Sequence, residues 1–299
     1  MKKDFLKLSD LTKDEALGLI KQAVELKQFK ANKTAHRPLE GKTLGMIFNK
    51  NSTRTRISFE VGMFELGGHS LFLTPDQMQL GRGETIADSA RVLSRYLDGI
   101  LIRTFDFKEV EELAKHASIP VINGLTDLNH PIQVLSDLLT IHEKLGRLDG
   151  IKIAYVGDGN NVAYSWITAA TMFNLRLSVG CPASCKPELT KRNLNITDFI
   201  DITEDPATAV KDADVIYTDV WISMGEEETE EKVSLLKPYQ INQSLVDIAK
   251  KDVLVMHCLP AHREMEITSE VLEGKNSIVF DQAENRLHMQ KALLKKLLS

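Results

Sequence analysis

Near the start of the chain Leu17, Ile20 and Val24 recur at helical spacing, and Thr12 followed by Glu15 supplies a capping-box pattern ahead of them. From Thr43 onward the pattern changes. Short apolar runs, TLGMIF at 43–48, SLFLT at 70–74 and ILIRTF at 100–105, alternate with helical patterns, one ending at Gly67 and one running from Glu84 to Tyr96. That rhythm predicts βαβ units and a parallel sheet. The helical stretch PIQVLSDLLTIHEKLG, with Pro131 suited to a first turn and Gly146 to a stop, closes this series. A second series repeats the theme, with strands expected at IKIAYV (151–156), LRLSV (175–179), DVIYTDV (214–220), DVLVMHC (252–258) and NSIVF (276–280). Leu287, Ala292, Leu293 and Leu297 then mark a terminal helix from Glu284 to Leu298. The fold predicted is α/β, with two doubly wound parallel-sheet domains joined by helices. Domain boundaries are expected at 1–135 and 136–283, with the C-terminal helix 284–299 packing back on the first domain.

Composition narrows the function classes. A length of 299 residues suits two cores. No segment approaches the roughly 18 uninterrupted apolar residues of a membrane span. The opening MKKDFLKLSD has no apolar run behind its lysines, so a cytoplasmic address is expected. A formal net charge of −5 argues against a nucleic-acid binder, which draws on a positive field. Cys181, Cys185 and Cys258 form neither a disulfide framework nor a zinc-ligand spacing.

Candidate chemistry falls at strand ends. Asn51-Ser52-Thr53-Arg54-Thr55-Arg56 follows a strand and opens a helix, where backbone N–H groups and hydroxyls converge on an anion, and Arg54 is expected at the mouth rather than inside the helix. Arg103 ends another strand, and His130-Pro131-Ile132-Gln133 starts a helix; in open parallel sheets ligands collect beyond those carboxyl ends. The string GDGNN at 157–161 invites a dinucleotide reading, but Val162 stands where a third glycine belongs, and the next strand ends in Gly180 and Cys181 rather than an acidic residue. Asp219 through Gly225 and His257-Cys258-Leu259-Pro260-Ala261-His262 follow further strands. A Cys there is ordinarily packing, and two histidines five apart across a proline do not share a helical face, so no metal site is expected.

Together these strings resemble the aspartate/ornithine transcarbamoylase family, over nearly the whole chain from about Lys42. Ser-Thr-Arg-Thr-Arg and His-Pro-x-Gln are marks of the whole family, and Asp219 with Ser223-Met224-Gly225 and His-Cys-Leu-Pro are marks of its ornithine branch. The resemblance implies transfer of a carbamoyl group from carbamoyl phosphate to the side-chain amine of ornithine, giving citrulline and phosphate, without metal or organic cofactor. It implies a carbamoyl-phosphate domain and an ornithine domain, in homotrimers or multiples of trimers, with sites at subunit interfaces. Ser52, Thr53, Arg54 and Thr55 would hold phosphate, helped by Gln79 from a neighbouring subunit and by Arg286. Arg103 and His130 would polarise the carbamoyl oxygen, while Gln133, Cys258 and Leu259 would hold the carbamoyl amine. Asn161, Asp219, Ser223 and Met224 would bind ornithine, with Cys258 beside the reacting amine. Arg54, Arg103, His130 and Cys258 are thus the expected catalytic set. A relative acting on putrescine or lysine would share the phosphate motifs but not Asp219 through Gly225.

Overall fold

A computed structural model describes residues 3–74, 83–187, 189, 198–223, 225 and 227–299. The chain divides into two compact units, Met1–Leu139 with Glu284–Ser299, and Thr140–Ala283. The first holds a parallel sheet of β1 (Thr43–Phe48), β2 (His69–Leu73), β3 (Gly99–Arg103) and β4 (Val121–Leu125), ordered β2-β1-β3-β4. Helices α1 (Lys13–Ala31), α2 (Thr53–Glu65), α3 (Ile86–Leu93) and α4 (Phe107–His116) surround it. Helix α5 (Pro131–Leu145) leads into the second unit.

There β5 (Lys152–Val156), β6 (Arg176–Gly180), β7 (Ile200–Thr203), β8 (Val215–Thr218) and β9 (Leu254–His257) make a parallel sheet ordered β7-β6-β5-β8-β9. Its helices are α6 (Asn161–Phe173), α7 (Pro206–Val210), α8 (Glu230–Leu236), α9 (Gln243–Val246) and α10 (Ser269–Leu272). Helix α11 (Val279–Leu298) then returns the chain to the first unit.

Local chemistry explains the elements. The capping box of α1 forms as its sequence predicts: Glu15 N donates to Thr12 Oγ1 at 3.2 Å and Thr12 N to Glu15 Oε2 at 2.9 Å. Strand β3 is buried along its whole length, and each of Ile100, Leu101 and Ile102 contributes about 1.5–3 kcal/mol by leaving water. Helix α11 packs on the first unit because small residues let it approach. A Cβ placed on Gly62 would lie 3.3 Å from Lys291 Cγ, and one on Gly99 would meet Leu298 at 2.7 Å. Lys291 Nζ also donates to Glu65 Oε2 at 2.6 Å.

The structure corrects the reading of NSIVF as a strand. Only one bridge forms there, Ser277 with Val255, before α11 begins at Val279, so the terminal helix starts five residues ahead of Glu284. The run is too short for its apolarity to separate strand from helix, and the ladder stops because Val279 already turns. Strands β4 and β7 were not foreseen. No described helix is long and apolar enough to cross a membrane.

Candidate functional site

Strand order places the candidate residues. In the first sheet the order reverses between β1 and β3, so a crevice opens beyond their carboxyl ends. Phe48 and Arg103 are register partners there, and Asn49 N donates to Arg103 O at 2.8 Å. The loop after β1 is further tied down: Asn49 Nδ2 donates to Thr104 Oγ1 at 3.0 Å, and Lys50 pairs with Asp127 while its ammonium sits 4.4 Å from the Phe105 ring centre. Ser52 caps α2, its Oγ accepting from Thr55 N at 3.3 Å. Thr53, Arg54 and Thr55 form the first turn, so Arg54 is the second helical residue and not outside the helix as expected; the Ser52 cap starts the helix one residue before it.

The carboxyl end of β4 leads to His130, buried just ahead of Pro131. Burial, with the positive charges of Arg103 and Arg286 beside it, holds the imidazole pKa well below its ordinary value, so His130 is neutral at neutral pH. Arg103 and Arg286 are themselves buried. One turn into α5, Gln133 donates its Nε2 to Asp137 Oδ1 at 2.8 Å. A carboxylate only accepts, so this bond fixes the amide with its oxygen turned elsewhere, and Gln133 Oε1 is buried without a partner, as is Thr55 Oγ1. Cations, a neutral imidazole and a waiting acceptor suit a small anionic carbonyl compound bearing N–H groups.

In the second sheet the order reverses between β5 and β8. The GDGNN loop follows β5, Asp219 follows β8, and Cys258 follows β9, with Thr218 and His257 paired in register just before the last two. Neighbouring strands run ~4.8 Å apart, so Asp219 and Cys258 must meet. Cys258 Sγ donates to Asp219 Oδ1 at 2.8 Å, and Asn160 Nδ2 to Asp219 Oδ2 at 2.8 Å. Asn160 also caps α6, its Oδ1 accepting from Val162 N at 2.9 Å. The glycines of the loop have geometric reasons unrelated to a dinucleotide: Gly157 has φ +129°, and a Cβ on Gly159 would strike Cys185 O at 2.3 Å. Tyr155 supports the loop from below, its hydroxyl 3.0 Å from Asn160 Oδ1, and burial beside Asp219 pushes its pKa well up.

Asp219, His257 and Cys258 bring ligand-type atoms within 4.8 Å of one another, the one such group among the described residues. The sequence had not suggested that trio. Its atoms are engaged with the protein: His257 Nδ1 accepts from Leu259 N at 2.8 Å, and Nε2 lies 3.1 Å from Glu266 Oε1. A metal would have to break one of these bonds to reach the imidazole.

Residues 3–143 match the family model described as the carbamoyl-P binding domain of aspartate/ornithine carbamoyltransferase, and residues 149–297 match its Asp/Orn binding domain. The chain is 55% identical over 302 residues to an ornithine carbamoyltransferase of Syntrophus aciditrophicus, covering 100% of both chains. It belongs to the aspartate/ornithine carbamoyltransferase family. Another member, from Methanoculleus marisnigri, is 52% identical over 100% of this chain and 98% of its own. The solved ornithine carbamoyltransferase of Pyrococcus furiosus superposes with a TM-score of 0.95 at 50% identity, over 99% of this chain and 97% of that one.

Within this carbamoyltransferase fold, the first unit carries Ser52, Thr53, Arg54, Thr55, Arg103, His130, Gln133 and Arg286, and the second carries Asn161, Asp219, Ser223, Cys258 and Leu259. Gln79 and Met224 lie outside the described residues. The sequence reading took Asn161 from GDGNN and missed Asn160, the residue that holds Asp219; the preference for Asn at a helix cap was the signal available. It also missed Asp137, Glu266 and Lys232, whose Nζ reaches Asp158 Oδ2 at 3.0 Å.

Proposed function

We propose that the protein is an ornithine carbamoyltransferase, passing the carbamoyl group of carbamoyl phosphate to the δ-amine of L-ornithine to give L-citrulline and phosphate. The observation that carries this reading is the furnishing of the two switch points. One surrounds neutral His130 with Arg103 and Arg286 beside a phosphate-type helix start, and the other joins Asp219 to Cys258.

In the first unit Ser52, Thr53, Arg54 and Thr55 hold the phosphate, with Arg286 and, from a neighbouring subunit, Gln79 adding to the set. Arg103 and a neutral His130 N–H meet the carbamoyl oxygen, where negative charge grows as the amine attacks; donors fixed in advance stabilise that charge more than the ground state. Gln133 Oε1 accepts from the carbamoyl amine, joined by the backbone at Cys258 and Leu259. In the second unit Asp219 takes the α-ammonium of ornithine, with Asn161, Ser223 and Met224 at the amino-acid end. Cys258 lies beside the δ-amine and forms no covalent bond to substrate. The C–N bond forms as the C–O bond to phosphate breaks, and the surplus amine proton leaves with phosphate. Holding two small polar molecules in line supplies about 7–11 kcal/mol of the barrier reduction.

We also assign a homotrimer. Ile57 and Phe64 on α2, Leu71 on the edge strand β2, and Tyr96 after α3 are large apolar residues left exposed on the first unit. Such a set favours burial against a second copy. Sedimentation should return three times the mass of one chain or a multiple of that.

The deciding experiment offers carbamoyl phosphate with ornithine, putrescine, lysine or aspartate and measures ureido product. Ornithine should be preferred by at least about 100-fold. Equal or better use of any other amine defeats the reading.

A further inference from the structure

Glu266 is fully buried and has no part in the chemistry described above. Burying a carboxylate is costly unless it is well hydrogen-bonded. Its Oε1 faces His257 Nε2 at 3.1 Å and accepts the backbone N–H of His262. His257 is also fully buried, at the end of β9, and its own N–H donates to Gln282 Oε1 at 2.9 Å; Gln282 Nε2 in turn donates to Tyr217 Oη at 3.2 Å. The ring is therefore held at both nitrogens, Nε2 by Glu266 and Nδ1 by Leu259 N, while Gln282 holds the His257 backbone. Since Nδ1 accepts from Leu259 N, the imidazole proton belongs on Nε2, and the carboxylate is what keeps it there.

Leu259 has φ +56°, a left-handed conformation that a residue with a branched side chain adopts only when its surroundings enforce it. The bond from its N–H to His257 is the visible enforcement. That N–H is thereby occupied, so the Cys258–Leu259 peptides meet a ligand through carbonyl oxygens, which suit an N–H donor such as a carbamoyl amine and not an anion.

We propose that Glu266 is a positioning residue for carbamoyl transfer: through His257 it sets the turn at Leu259, and so the backbone acceptors that receive the carbamoyl amine. The inference rests on the ornithine carbamoyltransferase reading above, which gives that turn its substrate. Gln at 266 can still accept from Nε2–H, whereas Leu, of similar size, cannot.

The test uses the full chain labelled with 15N, with the His257 ring signals assigned by their loss in His257→Asn. The unsubstituted protein should show a proton on Nε2 and a bare Nδ1. Glu266→Gln should keep that pattern and hold kcat within about threefold. Glu266→Leu should lose the single tautomer and lower kcat at least about 30-fold, the scale of a small misplacement, while binding of carbamoyl phosphate alone changes less than about threefold. A merely structural role would leave the folded fraction with an unchanged tautomer and kcat. The proposal is overturned if Glu266→Leu keeps both, if Glu266→Gln is as damaging as Glu266→Leu, or if the unsubstituted ring carries its proton on Nδ1. Should Glu266→Leu not fold, a kcat of Glu266→Gln lowered more than about threefold or a proton on Nδ1 of the unsubstituted ring still overturns the proposal. Absence of citrulline from the unsubstituted protein would instead defeat the functional reading itself, while the tautomer still reports whether Glu266 holds the turn.

Discussion

Around His130 the first unit gathers guanidinium groups about a neutral imidazole and leaves Gln133 Oε1 and Thr55 Oγ1 buried without partners, whereas around Asp219 the second unit ties its polar atoms to one another. Both sets stand on the same device, the carboxyl ends of strands where the sheet order reverses. The difference teaches where each stores its energy. Polar groups assembled in advance of a ligand gain their return when it arrives, so altering them should cost activity and little stability. Groups that already satisfy one another hold a shape, so altering them should cost both.

The largest effect expected is for Arg54→Ala. Loss of at least about 2 kcal/mol of transition-state stabilisation, roughly 30-fold in kcat/KM, should come with an unchanged thermal midpoint. Activity within threefold of the unsubstituted protein would refute the phosphate assignment. In the second unit Asp219→Asn should lower kcat/KM for ornithine by about 10-fold or more and also reduce stability, because two donors lose a charged acceptor worth about 1.5–3 kcal/mol in such bonds. Butylamine, which has no second ammonium to pair with Asp219, should suffer less; equal losses for the two amines would separate Asp219 from substrate choice.

A pH comparison tests the first unit from the other side. His130 has a folded-state pKa far below 6.5, so below pH 6.5 the unfolded chain binds a proton that the folded chain does not, and stability falls as pH drops. The slope from this one group approaches about 1.4 kcal/mol per pH unit. His36 and His288 are lowered too and add slope of the same sign, so the reading is the part removed by His130→Asn. Denaturant melts from pH 7 to 5 that keep the same slope after the substitution would show that His130 is not neutral in the fold. The smallest effect belongs to Lys232→Met. Its pair with Asp158 is partly exposed, and loss of less than about 1 kcal/mol of stability is expected, with KM for carbamoyl phosphate unmoved. A shift in that KM would mean the two sets of polar groups are coupled through α8.

Much of this was legible from residue order because parallel strands buried on both faces read as unbroken apolar runs. TLGMIF, ILIRTF and KIAYV announce β1, β3 and β5, and the polar residues that end such runs are the ones placed at the sheet's carboxyl edge. Strand β4 hides because Asn123 and Gly124 interrupt it, although Asn123 is fully buried, its amide donating to Leu6 O at 2.9 Å. Strand β7 hides because it is a half-exposed edge with Asp201 facing solvent. Asp137 and Glu266 were illegible for another reason. Each bonds a candidate residue or its neighbour through a contact that spacing alone does not display, and only the folded chain shows which one.

The return of α11 also fixes an order of events during synthesis. The second unit is one continuous stretch, Thr140–Ala283, and its residues have all been joined before the first unit receives Glu284–Ser299. A growing chain on the ribosome can thus complete its later unit while its earlier one still lacks the helix that buries Met289, Leu293 and Leu294. Arg286 travels on that same helix, so the cation beside His130 arrives only after the whole second unit has been made. A nascent chain stopped short of residue 286 carries the Ser52–Thr55 loop and the Asp219–Cys258 pair but not the full charge set. The charge set beside His130 is complete only once Arg286 has been added.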